Sequence, residues 1–103
     1  MNRVELLPKL QGETASRYAD FISKLQSSET ISSCSVTASV YSGNDSNPSG
    51  ILNGSATISG TQVWQSLTAG VAGCVYELLF KAVTSLSNTY ELSGYLAVTP
   101  DLP

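Results

Sequence analysis

Ser33-Cys34-Ser35-Val36-Thr37-Ala38-Ser39-Val40-Tyr41 decides the fold class. Apolar Cys34, Val36, Ala38 and Val40 alternate with hydroxyl-bearing neighbours at a period of two, which places one set on each face of an extended strand. Two longer stretches downstream repeat the pattern. In Cys74–Thr84, the residues Cys74, Tyr76, Leu78, Phe80 and Ala82 share one face, and Val75, Glu77, Leu79, Lys81 and Val83 the other. The apolar members of the second set predict a strand covered partly on both sides, as a central strand or at an interface. In the last stretch Tyr90, Leu92, Gly94, Leu96 and Val98 alternate with Glu91, Ser93, Tyr95, Ala97 and Thr99, and Pro100 and Pro103 end the ladder.

Turn chemistry separates these runs. Gly43 to Gly50 is a loop of Asn, Asp, Ser and Pro. Asn53-Gly54 is a tight-turn signal before Ala56 and Ile58, Gly60-Thr61 marks another turn, and Thr61 to Leu67 carries Val63, Trp64 and Leu67 as a strand. Thr68–Gly73 and Ser85–Asn88 are further turns. Upstream, Glu13–Ile22 is compatible with a strand, with a short helix as the competing reading, and Ser27–Thr30 is polar and turn-like. Residues 1–12 read as an extended arm, because Pro8 interrupts any helix across Leu6, Leu7 and Leu10. About seven short strands with frequent turns and no alternating helices predict an all-β sandwich over 13–103. The expected core is Cys34, Val36, Ala38, Val40, Ile58, Tyr76, Leu78, Phe80, Leu92 and Leu96.

The composition narrows function. The 103 residues are 42% hydrophobic and only 13% charged, with net charge −3. That leaves no basic patch for nucleic acid. No apolar run approaches a membrane span, no signal-peptide pattern opens the chain, and Met1 suggests an unprocessed product of the cytoplasm. There is no histidine, which removes Ser-His and Cys-His nucleophile pairs and the commonest zinc ligand. Glu77 and Glu91 are the only plausible carboxylate pair, and both fall on outward faces. Asn44-Asp45-Ser46-Asn47 lacks the spacing of a calcium loop, and Gly70–Gly73 lacks the lysine of a phosphate loop. Cys34 and Cys74 are expected to be reduced. No enzyme activity, metal or cofactor is expected.

Leu67-Thr68-Ala69-Gly70-Val71-Ala72-Gly73-Cys74-Val75-Tyr76 resembles the E–F corner of immunoglobulin-like sandwiches, where a tyrosine hydroxyl bonds back to the upstream backbone. Cys74 lies two residues before Tyr76, not two after, so the antibody disulfide does not transfer. The fold expected is therefore an immunoglobulin-like antiparallel β-sandwich with an extended N-terminal arm.

Several stretches together resemble small immunoglobulin-like virion proteins of tailed bacteriophages: Thr37-Ala38-Ser39-Val40-Tyr41-Ser42-Gly43-Asn44-Asp45-Ser46-Asn47-Pro48-Ser49, Gly54-Ser55-Ala56-Thr57-Ile58-Ser59-Gly60-Thr61, Leu67–Gly73 and Leu92-Ser93-Gly94-Tyr95-Leu96-Ala97-Val98. Glu13–Ser16 and Phe21–Ser23 add to it. The resemblance implies a structural component of the virion near the neck or tail. One such role is an adaptor joining fibers to the tail; a capsid decoration or a carbohydrate-binding module are alternatives. Its partners would be other virion proteins (tail, neck or fiber subunits), with several copies in a symmetric assembly and neither nucleic acid nor membrane. Arg3, Leu6, Leu7, Lys9 and Leu10 are the expected arm contacts on a neighbouring subunit, with Arg3, Lys9 and Arg17 suiting an acidic surface. Val75, Leu79, Val83 and Tyr95 are the expected contacts on an outward sheet face.

Overall fold

The computed structural model describes residues 3–100, with side chains from Leu6 onward. Eight strand segments follow one another: β1 (Arg3–Glu5), β2 (Lys9–Leu10), β3 (Ala15–Asp20), β4 (Ile31–Ser42), β5 (Thr57–Ser59), β6 (Gln62–Leu67), β7 (Val75–Thr84) and β8 (Thr89–Thr99). They form two sheets. One has the order β1-β8-β7-β4, with β2 also on β8; the other has the order β3-β6-β5. β1 and β2 occupy the same edge of β8, so the eight segments fill seven strand positions of a β-sandwich. Strand alternation, not helix propensity, governs Ala15–Asp20: Ala19 is buried and its neighbours Tyr18 and Asp20 point outward.

The arm is where expectation and structure part. Residues 3–10 do run extended, and the ladder they join is the chain's own β8. The pairing is parallel: Glu5 lies opposite Tyr95 and Lys9 opposite Val98. The arm thus takes four steps where β8 takes three. The extra residue falls in Leu6-Leu7-Pro8, and Pro8 has no N–H to give to a ladder.

The core lies between the sheets. Tyr76, Leu78, Phe80 and Ala82 of β7 and Leu92, Leu96 and Val98 of β8 pack with Ala19, Val63 and Leu67 of the smaller sheet and with Phe21 just after β3. Five of the ten expected core residues are buried: Tyr76, Leu78, Phe80, Leu92 and Leu96. Cys34, Val36, Ala38 and Val40 face inward but stay half-buried, because β4 is an edge strand and the strand across from it, β5, is only three residues long. Ile58 shares a face with the buried Val63 yet remains 40% exposed on that short edge. The alternation was therefore in register; the small sheet is simply too narrow to cover β4.

The register also separates the cysteines. Cys34 lies opposite Ala82, eight residues along β7 from Cys74, or roughly 26 Å of strand. A disulfide needs Cα atoms within about 7 Å. Both thiols are free, and burial pushes the Cys34 thiol up from its ordinary pKa.

Each end of the sandwich is tied by a carboxylate. At the end holding the β7–β8 turn, buried Glu29 accepts from the Gln26 N–H (2.9 Å), the Asn88 side-chain amide (2.9 Å), the Tyr90 hydroxyl (3.2 Å) and, at close range, the Thr84 hydroxyl. At the other end the Tyr76 hydroxyl accepts from the Val71 N–H (2.9 Å) and donates to Asp45 (2.7 Å). The bond to Val71 is the corner bond expected of that tyrosine. Asp45, considered above as a loop ligand, is engaged by Tyr76 and by the Asn47 N–H.

Candidate partner-binding surfaces

The larger sheet presents an outward face built by alternation. Val75, Leu79 and Val83 of β7 lie on it with Glu77 and Lys81 between them, all flanked by β4 and β8. Ladder pairing sets the rows: Glu77 stands between Ser39 and Tyr95, Leu79 between Thr37 and Ser93, Lys81 between Ser35 and Glu91. Val75, Leu79, Val83 and Tyr95 are all half-buried, so the four expected face residues share one side of one sheet. Tyr95 stacks on Tyr41 across β7's end, with ring centroids 4.2 Å apart. Tyr41 is 60% exposed. Lys81 and Glu91 sit opposite each other across the ladder, the exposed opposite-charge pairing of a solvated face.

The arm residues fall into two groups. Leu7 is 73% exposed and Leu10 37%. Both are exposed side chains of the arm. Leu6 instead packs against the core. Lys9 is 1% exposed, and its ammonium donates to the carbonyls of Leu10 (2.8 Å), Gln11 (3.3 Å) and Ala69 (2.7 Å). Arg17 likewise turns inward on the chain, donating to the carbonyls of Leu7 (2.9 Å), Pro8 (2.8 Å) and Ser16 (2.9 Å). These two cations tie the arm to its own sandwich. The arm is short of ladder bonds around Pro8, and the carbonyls left there need donors. Arg3 lies opposite Ser93 in β1, in the row of Leu79 and Thr37; its side chain is outside the described residues.

A second aromatic surface lies on the outer face of the smaller sheet. Tyr18 and Trp64 are ladder partners on β3 and β6, stacked with centroids 4.6 Å apart. The Trp64 indole N–H donates to Gln62 (2.9 Å), which fixes the ring, and Tyr18 is 43% exposed. Sequence reading found Trp64 but not its pairing with Tyr18, since nothing in the local pattern shows that β3 and β6 are neighbours. Among the described residues no group of three or more acidic or thiol side chains is placed to hold a metal, and no helix is long and apolar enough to cross a membrane.

Residues 9–97 match a family model described as Podophage GP4 fiber-tail adaptor protein gp77. The chain belongs to this family. No curated protein and no solved structure matches it. The match begins at buried Lys9, takes in β2 to β7 and most of β8, and leaves out β1 and Leu6-Leu7-Pro8. Membership bears out the resemblance to tailed-phage virion proteins. It supports a tail-adaptor role and implies a place in the virion among tail and fiber proteins.

Proposed function

We propose that this adaptor-family chain is a non-enzymatic bridge in the virion, holding a tail-side subunit on one outer face and a fiber-side subunit on the other. The observation that carries the reading is the pair of stacked aromatic sites on opposite faces of one sandwich: Tyr41–Tyr95 on the larger sheet and Tyr18–Trp64 on the smaller. An adaptor needs two docking surfaces held at a fixed distance, and a close-packed core supplies the rigidity between them. Aromatic side chains on rigid strands are the usual anchors of such interfaces, since they bury large area with little loss of rotamer freedom. Leu7, Leu10, Val75, Leu79 and Val83 extend the first surface, and the arm adds its row beside Tyr95.

The test is assembly of particles carrying two-residue variants. With Tyr41→Ala/Tyr95→Ala and Tyr18→Ala/Trp64→Ala made separately, one variant should be missing from particles. The other should be present on particles that have lost their fibers. Normal fiber occupancy with both variants would remove the reading.

A further inference from the structure

The four sheet edges of this sandwich are not alike. The β1/β2 edge is broken at Pro8 and carries Arg3, Glu5 and Lys9. The β3 edge is six residues long and includes Arg17 and Asp20. The β5 edge has three residues. Charge, proline, brevity and bulges are devices by which edges avoid pairing with other chains, and the β4 ladder is irregular only towards its two ends, between Ile31 and Ser33 and between Val40 and Ser42. From Ser33 to Val40 the strand uses none of them. It is the longest strand, twelve residues, bonded to β7 alone, and the sequence from Thr30 to Asn44 contains no charged residue. Its inward stripe of Cys34, Val36, Ala38 and Val40 is only half-covered.

We infer that β4 is a self-association edge, through which two copies of this chain pair by antiparallel β4–β4 contact and join their larger sheets into one. Three features name the occupant. An uncharged strand offers no counter-charge to a basic or acidic segment, whereas two copies of a chain of net charge −3 meet here without like-charge repulsion. The pattern is self-complementary: with Thr37 on the two-fold axis, Val36 faces the partner's Ala38 and Cys34 the partner's Val40, apolar to apolar. Ser35 then faces the partner's Ser39, hydroxyl to hydroxyl. Finally, none of the other edges offers a run of comparable length, which favours this isologous pairing over a head-to-tail one. The inference goes beyond the adaptor reading and does not depend on either aromatic site.

The experiment is the mass of the purified full chain by sedimentation equilibrium over a concentration series, with hydrogen exchange at both ends of the series. Dimer should form as concentration rises, and β4 amides should gain protection while those of the β3 edge do not. Ser35→Lys/Ser39→Lys puts like charges opposite each other across the two-fold at exposed positions and should raise the dimer dissociation constant at least ~10-fold. Ser16→Lys/Ser59→Lys adds the same charge to exposed positions of the other sheet and should leave it unchanged. A monomer at every concentration, a dimer indifferent to the β4 charges, equal weakening by both variants, or protection confined to β3 would each overturn the inference. The exchange measurement on the unmodified chain stands even if a variant fails to fold.

Discussion

The two ends of the sandwich solve one problem in opposite ways. At the β7–β8 turn, the acceptor is the hub: the Glu29 carboxylate sits in the protein and collects four donors, from its own turn, from β7, from the turn after it and from β8. At the far end the hub is a core residue reaching outward: the fully buried ring of Tyr76 ends in a hydroxyl that ties the Gly43–Asn47 loop to the Gly70–Gly73 loop. The first arrangement draws short turns inward. The second holds longer loops against the core and leaves their tips, with the arm beside them, exposed to partners. The contrast teaches where stability and where contact are concentrated.

Removing the acceptor hub should have the largest effect. Glu29→Ala leaves the Gln26 N–H, the Asn88 amide and the Thr84 and Tyr90 hydroxyls without their common acceptor in a site nearly closed to water. Unpaired buried donors cost more than the bond itself was worth. We expect a fall in Tm on the order of 10 °C, read by circular dichroism. Hydrogen exchange should rise first in the β7–β8 turn. Loss of protection starting instead at the Gly43–Asn47 loop would mean that the ends are not independently tied.

Tyr76→Phe is the matching test at the other end. It keeps the buried ring and deletes one hydroxyl, so the Val71 N–H and Asp45 lose a partner while packing is unchanged. The expected loss is about 1–3 kcal/mol in urea unfolding. A Phe variant as stable as the original chain would show that the corner bond is incidental to loop placement.

Most of the fold was legible in the sequence because alternation was strong where strands were long. β4, β7 and β8 each keep the faces that period two assigns them, and the corner tyrosine makes its bond. What could not be read locally were pairings between distant segments. Nothing around Lys9 or Arg17 distinguishes a solvent-facing cation from one whose ammonium or guanidinium closes on carbonyls. That depends on Pro8 leaving carbonyls of the arm without a ladder and on Ala69 arriving from a remote turn. Glu29 is similar: one acid in a polar turn has no signature until Thr84, Asn88 and Tyr90 are brought to it. Of the candidate surfaces, the placing of Val75, Leu79 and Val83 on one outward face was legible from alternation, while the Tyr18–Trp64 stack required the order of the smaller sheet.

The tyrosine end also carries a steric condition that can be separated from its hydrogen bonds. Gly43 has φ +101°, and a Cβ there would lie 2.7 Å from the Cys74 sulfur. Gly43→Ala therefore combines backbone strain with a clash, for roughly 1–3 kcal/mol in all. Adding Cys74→Ala removes the sulfur, the nearest atom, but neither the strain nor the approach to the Cys74 Cα (3.0 Å) and Cβ (3.2 Å), so the double variant should be less destabilised than the sum of the singles by the sulfur's share alone. Strict additivity would show that the sulfur carries none of the cost, which would then lie in the backbone conformation and the approach to the Cys74 backbone.

The smallest effect at neutral pH, and the one that distinguishes the ends most directly, is their titration. Glu29 is held below the usual carboxylate range by the Gln26 N–H first and then by Thr84, Asn88 and Tyr90. Asp45 is lowered by the Asn47 N–H and then by Tyr76. For both, the folded pKa lies below the unfolded one, so their contribution is complete above the unfolded values of about 4 and is lost as pH falls through the folded ones. Tyr76 runs the other way. Burial, and then the Asp45 carboxylate, push its hydroxyl up to about 12. Its contribution is complete below the unfolded pKa of about 10 and fades as pH rises from there toward 12. Tyr90 is also raised, by burial and then by Glu29, so alkali acts at both ends. The two are told apart by variant. Tyr76→Phe should flatten the part of the alkaline decline that belongs to the loop end and leave protection of the β7–β8 turn, taken relative to the base-catalysed intrinsic exchange rate, still falling with pH, whereas Tyr90→Phe should do the reverse. If either substitution abolished the alkaline decline at both ends together, the sandwich would be opening as one unit, and the division between an acceptor-tied end and a tyrosine-tied end would have no consequence for stability.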